Sequence, residues 1–148
     1  MTGVRDALLA TQREARDREA ALYADAHDEP IPADGRYRVQ DHLAHLAAWR
    51  RRAVEVLRRT GGERPSVDDW NAEVYERTKD QPVDQVLGDA SDSWAELIAT
   101  IEAMTEEQLH EPHPFNAEFE VWFVVVANGD RHFDEHAGYI AALTGRHA

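Results

Sequence analysis

Phe119–Val126, FEVWFVVV, is the stretch that decides the fold class of this chain. So many β-branched and aromatic side chains in a row suit a strand. A strand needs a partner, however, and no other segment alternates apolar and polar residues convincingly. The stretch is therefore expected to open a buried helix over residues 118–144, with Gly145 as its stop. Elsewhere the apolar period is helical. In residues 82–104, Val83, Val86, Leu87, Ala90, Trp94, Leu97, Ile101 and Met104 form one stripe behind Pro82, which suits a first helical position. Residues 38–60 carry Val39, Leu43, Leu46, Ala53, Val54 and Leu57 and run into Gly61-Gly62. Residues 2–26, with Thr2 as N-cap, have a thinner stripe of Val4, Leu8, Ala15 and Leu22 among charged residues. A shorter helix is expected over 66–78, capped by Ser66 with Asp69, and TEEQ at Thr105–Gln108 caps one more turn. DEPIPADG, TGGERPS and HEPHPFNA read as loops. Four long helices and one short one predict an all-α, up-down four-helix bundle with an extra short helix, as one domain over residues 1–148.

Composition narrows the chemistry. There is no Cys, so disulfides, thiolate metal sites and cysteine nucleophiles are excluded. Any metal site must use His, Asp or Glu, which suits a divalent transition metal such as Zn, Ni, Fe or Mn. Lys and Arg number 16 against 29 Asp and Glu, a net charge of -13, so no nucleic-acid partner is expected. The most apolar run, VWFVVVA, is too short to span a bilayer, and MTGVRDALLA lacks the pattern of a signal peptide. The expectation is a cytoplasmic protein with no membrane partner.

NGDRHFDEHAGYI, Asn128–Ile140, sets His132 and His136 four residues apart. On one continuous helix Val121, Val125, Asn128, His132, His136, Tyr139 and Leu143 fall within about 40° of one line. Asp130 and Asp134 fall opposite, toward solvent. Both His would then enter the bundle with Asn128, and buried polar groups need partners. A metal ion, a ligand or a closed hydrogen-bond network would serve. In DHLAHLAAW the second helix offers His42 and His45 as a further ligand. His42 lies about 60° from the centre of its stripe and His45 about 120°, so periodicity favours His42. Arg50 lies near that centre, which makes it either a snorkelling side chain or a cation facing an acid or an anionic substrate. His27, His110, His113 and His147 are expected in solvent.

RYRVQDHLAHLAAW together with RHFDEHAGYI resembles the DinB/YfiT-like four-helix bundle superfamily. Tyr37, Val39, Asp41, Leu43, Ala44, His45 and Leu46 match its second-helix pattern in order, and His132 and His136 match its final pair. Arg38 replaces the usual Ser or Thr, and His42 stands where an aliphatic residue is common. The resemblance implies a divalent metal held by His45, His132 and His136, and so nominates His45 where periodicity prefers His42. The region DDWNAEVYERTKDQPVDQVLGDASDSWAELIATIEAMTEEQL is also similar to ClbS/DfsB-type bundles through Trp70, Asn71 and Tyr75.

Three functions follow from these readings. The first, which the resemblance to the DinB/YfiT-like superfamily implies, is a metal-dependent enzyme on a small-molecule substrate, a thiol S-transferase or hydrolase acting on an electrophilic metabolite. It would use water or a low-molecular-weight thiol cosubstrate as nucleophile, with Trp49, Arg50, Trp70, Asn71, Tyr75 and Asn128 as pocket wall. The second is a ClbS-like, metal-independent resistance hydrolase, with Trp49, Trp70, Trp94 and Trp122 around an apolar cavity. The third is a non-catalytic, stress-related binding protein, with a homodimer as the form in which the weakly apolar first helix finds cover.

Overall fold

The computed structural model describes residues 3–24 and 37–145. His27, His147, Thr2 and the DEPIPADG loop lie outside them. The elements are α1 (Val4–Leu22), α2 (Val39–Arg58), α3 (Val67–Thr78), α4 (Val83–Ala103), α5 (Glu106–Leu109), β1 (Pro112–His113), β2 (Asn116–Glu120), α6 (Trp122–Asn128) and α7 (Asp130–Thr144). The fold is helical, as the periodicity predicts, and the first five helices start and stop within a few residues of the expected points. Ser66 accepts from the Asp69 amide at 3.2 Å. Thr105 and Gln108 close a reciprocal capping box. The N-cap of α1 is Gly3, which has no side chain to offer. The Glu106 carboxylate from α5 accepts from the Val4 and Arg5 amides instead, at 2.7 and 2.9 Å.

The last block corrects the expectation of one helix from residue 118. Asn116–Glu120 is a strand, paired antiparallel with Pro112–His113 in a small hairpin. The partner is two residues long and sits in a Pro-rich loop, too short to show alternation in sequence. The Val121 amide adds one more bond, to the Glu111 carbonyl at 2.8 Å. Helix starts only at Trp122, and it breaks at Gly129. Gly129 (φ −104°, ψ −110°) lies against α1. A Cβ there would collide with Gln12 Oε1 and would stand 2.6 Å from the Val125 carbonyl oxygen. Gln12, fully buried on α1, fastens the restart: its Oε1 accepts from the Asp130 amide at 3.0 Å and its Nε2 donates to Asp130 Oδ1 at 2.8 Å. Asp130 is therefore a partner of α1 and not solvent decoration, whereas Asp134 is exposed and pairs with Arg18. Gly129→Ala is expected to cost about 1–3 kcal/mol, because one of the obstructing atoms is backbone. Urea unfolding of the variant checks this.

α2 runs through the middle of the molecule, with α3, α4, α6 and α7 packed around it. From Val39 to Arg50 every residue is buried. α1 packs on α4 and α7. Its thin apolar stripe is completed by polar residues at helical spacing, Gln12 and Glu19, both buried. Glu19 receives the Arg50 guanidinium in two parallel bonds of 2.8 Å. Trp94 Nε1 donates to the same carboxylate at 2.9 Å, and Ser93 Oγ accepts from Arg50 Nε at 2.9 Å. Trp94 lies under the guanidinium, 4.2 Å from ring centroid to Cζ. No helix among the described residues is long and apolar enough to cross a membrane.

Candidate metal centre

α2 and α7 bring imidazoles together. His45 comes from α2, and His132 and His136 come from successive turns of α7. Their ring centroids are 5.0, 4.7 and 4.8 Å apart, and one nitrogen of each lies within 4.8 Å of the other two. His45 Nε2 and His132 Nε2 are 3.1 Å apart, close to the separation that a shared ion bound at about 2 Å imposes. The Nδ1 atoms of both rings are buried with no hydrogen-bond partner among the described residues. His42 is as buried as His45 but lies to one side, with its Nδ1 2.8 Å from His136 Nδ1. In that contact one Nδ1–H donates and the other nitrogen accepts. A donor at His136 Nδ1 would leave the His136 Nε2 lone pair for a metal. Periodicity favoured His42 because it assumed one inward face. α2 is enclosed on all sides, so both His are inside and the partners on α7 decide which one joins the cluster.

Among the described residues no carboxylate is hydrogen-bonded to the trio, and burial sets its protonation. Desolvation pulls the His45 pKa down to about 3, helped by His132 and His42. It pulls His132 down to about 4, with Glu135 opposing and Arg50 assisting. It pulls His136 down to about 2, helped by the neighbouring imidazoles. Neutral imidazole is the form that binds a metal, so the donor set fits a divalent transition ion at neutral pH. The same shifts predict the acid response of the metal-free protein. Unfolded, these rings titrate near 6.5, so below that pH the unfolded state takes up protons before the folded one. Stability is fully present above about pH 6.5 and falls as pH drops toward 4, by about 1.4 kcal/mol per pH unit for each ring that responds. Urea melts of chelated protein at pH 7, 6 and 5 check this. His45→Asn should flatten the slope by about one ring's share.

The trio opens on a cavity of about 950 Å³. Of the expected wall residues, Trp49, Asn71 and Asn128 line it. Trp49 Nε1 donates to Asn71 Oδ1 at 2.9 Å, and Asn128 Nδ2 donates to the Val124 carbonyl at 3.0 Å. The other expected wall residues stand behind. Tyr75 stacks on Tyr37 at 5.8 Å. Trp70 leans on Trp49 at 6.2 Å and lines a separate groove among α2, α3 and α4. Arg50 does not line the cavity: its guanidinium is sealed in the core and faces an acid, but that acid is the structural Glu19. Trp94 and Trp122 do not line the cavity either, so the four-Trp enclosure is not formed. Tyr37, Glu135 and Tyr139 complete the wall. Tyr37 was visible as the aromatic start of the second-helix pattern and Tyr139 lay on the inward line of α7. Glu135 had no signal, being one more acid on a charged helix. His110 is exposed, as expected, between Glu106 and Glu120. His113 is partly buried and lines a second cavity.

A family model for the DinB superfamily matches residues 7–140. The chain belongs to the DinB superfamily. The match runs from within α1 to within α7 and so includes both histidine-bearing helices of this DinB-superfamily chain. No curated protein and no solved structure matches significantly.

Proposed function

We propose that this DinB-superfamily protein is a divalent-metal-dependent enzyme that acts on a small electrophilic metabolite, by transfer to a low-molecular-weight thiol or by hydrolysis. The observation that carries the reading is the convergence of three neutral imidazoles, from His45, His132 and His136, on one cavity. Together they would hold Zn, Ni, Fe or Mn. The bound ion supplies Lewis acidity and lowers the pKa of a water or thiol on its open positions. The chain has no Cys, so a thiol nucleophile comes from the cosubstrate, and water serves for hydrolysis. Glu135 is the acid lining the cavity; its Oε1, which accepts from the Tyr139 hydroxyl at 2.9 Å, can take the nucleophile's proton. Asn71 keeps its Nδ2 to donate to a polar substrate group, because Trp49 occupies its Oδ1.

The test is elemental analysis of untagged protein, followed by thiol-consumption and hydrolysis assays with electrophiles, before and after chelation. About one equivalent of metal and a chelator-sensitive activity are expected. Metal below about a tenth of an equivalent, unchanged in His45→Ala, would overturn the reading. A ClbS/DfsB-like, metal-independent hydrolase is the second reading. It is favoured by one observation, that Asn71 of the Trp70-Asn71 pair reaches the cavity wall through its bond to Trp49. Product formation that survives exhaustive chelation would select it.

A further inference from the structure

The β1–β2 hairpin and α6 enclose, with α2, a second cavity of about 420 Å³. It is not separate from the first: Trp49, Ala127 and Asn128 line both. Its walls combine two chemistries. One is aromatic. Phe119 and Phe123 stack at 4.8 Å with planes 13° apart, and Phe115 closes the hairpin side. Phe115 and Phe119 remain 44% and 42% exposed, large apolar surface that folding has not used. The other chemistry is cationic. The Arg52 guanidinium lies over the Phe115 ring at 5.5 Å, and that of Arg64 lies over Trp49 at 5.2 Å. Arg52 is anchored by Glu55. Arg64 donates to the Pro65 carbonyl and forms no ion pair among the described residues. Among the described residues this wall carries two guanidiniums against one carboxylate, Glu63, in a chain of net charge -13. His113, on the same wall, has its pKa held below the ordinary value by burial first and then by the cations of Arg52 and Arg59.

Aromatic faces beside guanidinium groups recognise a planar apolar group that carries an anion. A cavity of this size suits a small organic ligand. We propose that the hairpin cavity is a recognition subsite for an aryl-bearing organic carboxylate. Its carboxylate is met by Arg64, with Arg52 behind, and its rings by Phe115, Phe119 and Phe123. Through the shared wall at Trp49 and Asn128, the far end of such a ligand reaches the three-histidine cavity. That last step rests on the function proposed above, whereas binding at the hairpin does not.

The experiment titrates the full chain, with and without added Zn²⁺, with 4-phenylbutyrate, 4-phenylbutanol and 4-phenylbutylammonium. Tryptophan fluorescence and backbone amide shifts are the readouts. The carboxylate is expected to bind at least about tenfold more tightly than the alcohol, and the ammonium more weakly than either. Shifts should centre on Arg64, His113 and Asn116–Phe123. Arg64→Gln, at a partly exposed loop position where folding is not at stake, should lower carboxylate affinity to the level of the alcohol. His132→Ala should leave it within about twofold, so loss of the metal reading and loss of this one are told apart. Equal affinity for acid and alcohol, indifference to Arg64→Gln, shifts confined to the three-histidine cavity, or no saturation up to about 10 mM would each overturn the proposal.

Discussion

His132→Ala is expected to weaken Zn²⁺ binding by about a hundredfold or more. Partners one shell away from a metal already change its affinity about 10–100-fold, and His132 would be a direct ligand. Its Nε2 is also the one that stands 3.1 Å from His45 Nε2. Among the described residues no other imidazole joins the trio: His42 contacts His136, and His113 lines the neighbouring cavity. The contrast with His42→Leu sharpens the test. That variant removes the partner of His136 Nδ1 but no member of the trio, so a loss of about tenfold is expected, within the range for an outer partner. Competition against a chromophoric chelator at neutral pH measures both. Equal losses in the two variants would mean that the ligand set is wrong.

The second large effect concerns stability. Arg50→Met is expected to destabilise the fold by about 3–5 kcal/mol, because it strands the Glu19 carboxylate in the core. Glu19 is 3% exposed and Arg50 0%, so no water can take the lost partner's place without opening the bundle. In a chain of this length that loss corresponds to a melting point lower by about 10 °C. Glu19→Leu with Arg50→Met together should recover most of it, since a buried ion pair replaced by apolar groups of similar volume is close to neutral. Urea and thermal melts of the two singles and the double form the cycle. An Arg50→Met loss below about 1 kcal/mol would show that the pair is hydrated in solution.

How much of this was legible depended on how far each signal was local. The helices α2 to α5 were readable because their apolar stripes or caps are written within each segment, as in Val83–Ala103 or Ser66 with Asp69, and α1 was readable from its stripe although its cap is the distant Glu106. The His132/His136 pair was visible from its spacing, which left a metal ion and a hydrogen-bond network equally open. Residues whose role is set by a distant partner were not. Gln12 and Glu19 look like surface residues of a charged helix until Asp130 and Arg50 arrive beside them. Arg50 was found on the inward face, but the sequence could not say whether its acid was structural or a ligand. The strand Asn116–Glu120 was misjudged because its partner is a dipeptide, and the Gly129 break because its cause lies on α1. His45 was separated from His42 by resemblance, since the arithmetic of one apolar face does not hold for a helix surrounded by others.

The interruption at Gly129 also bears on how such a protein can change over generations. A continuous helix from Trp122 would tie every residue of α6 and the hairpin to the rotational setting of His132 and His136, and a single inserted residue would swing both rings by about 100°. With the joint at Gly129, clamped by Gln12, the segment before it can lengthen, shorten or be exchanged while the histidines hold their bearing. The hairpin and α6 are free to diversify, and the histidine-bearing turns of α7 are not. Aligned relatives should then vary in length between Leu109 and Gly129 and keep a fixed count from Gly129 to His136.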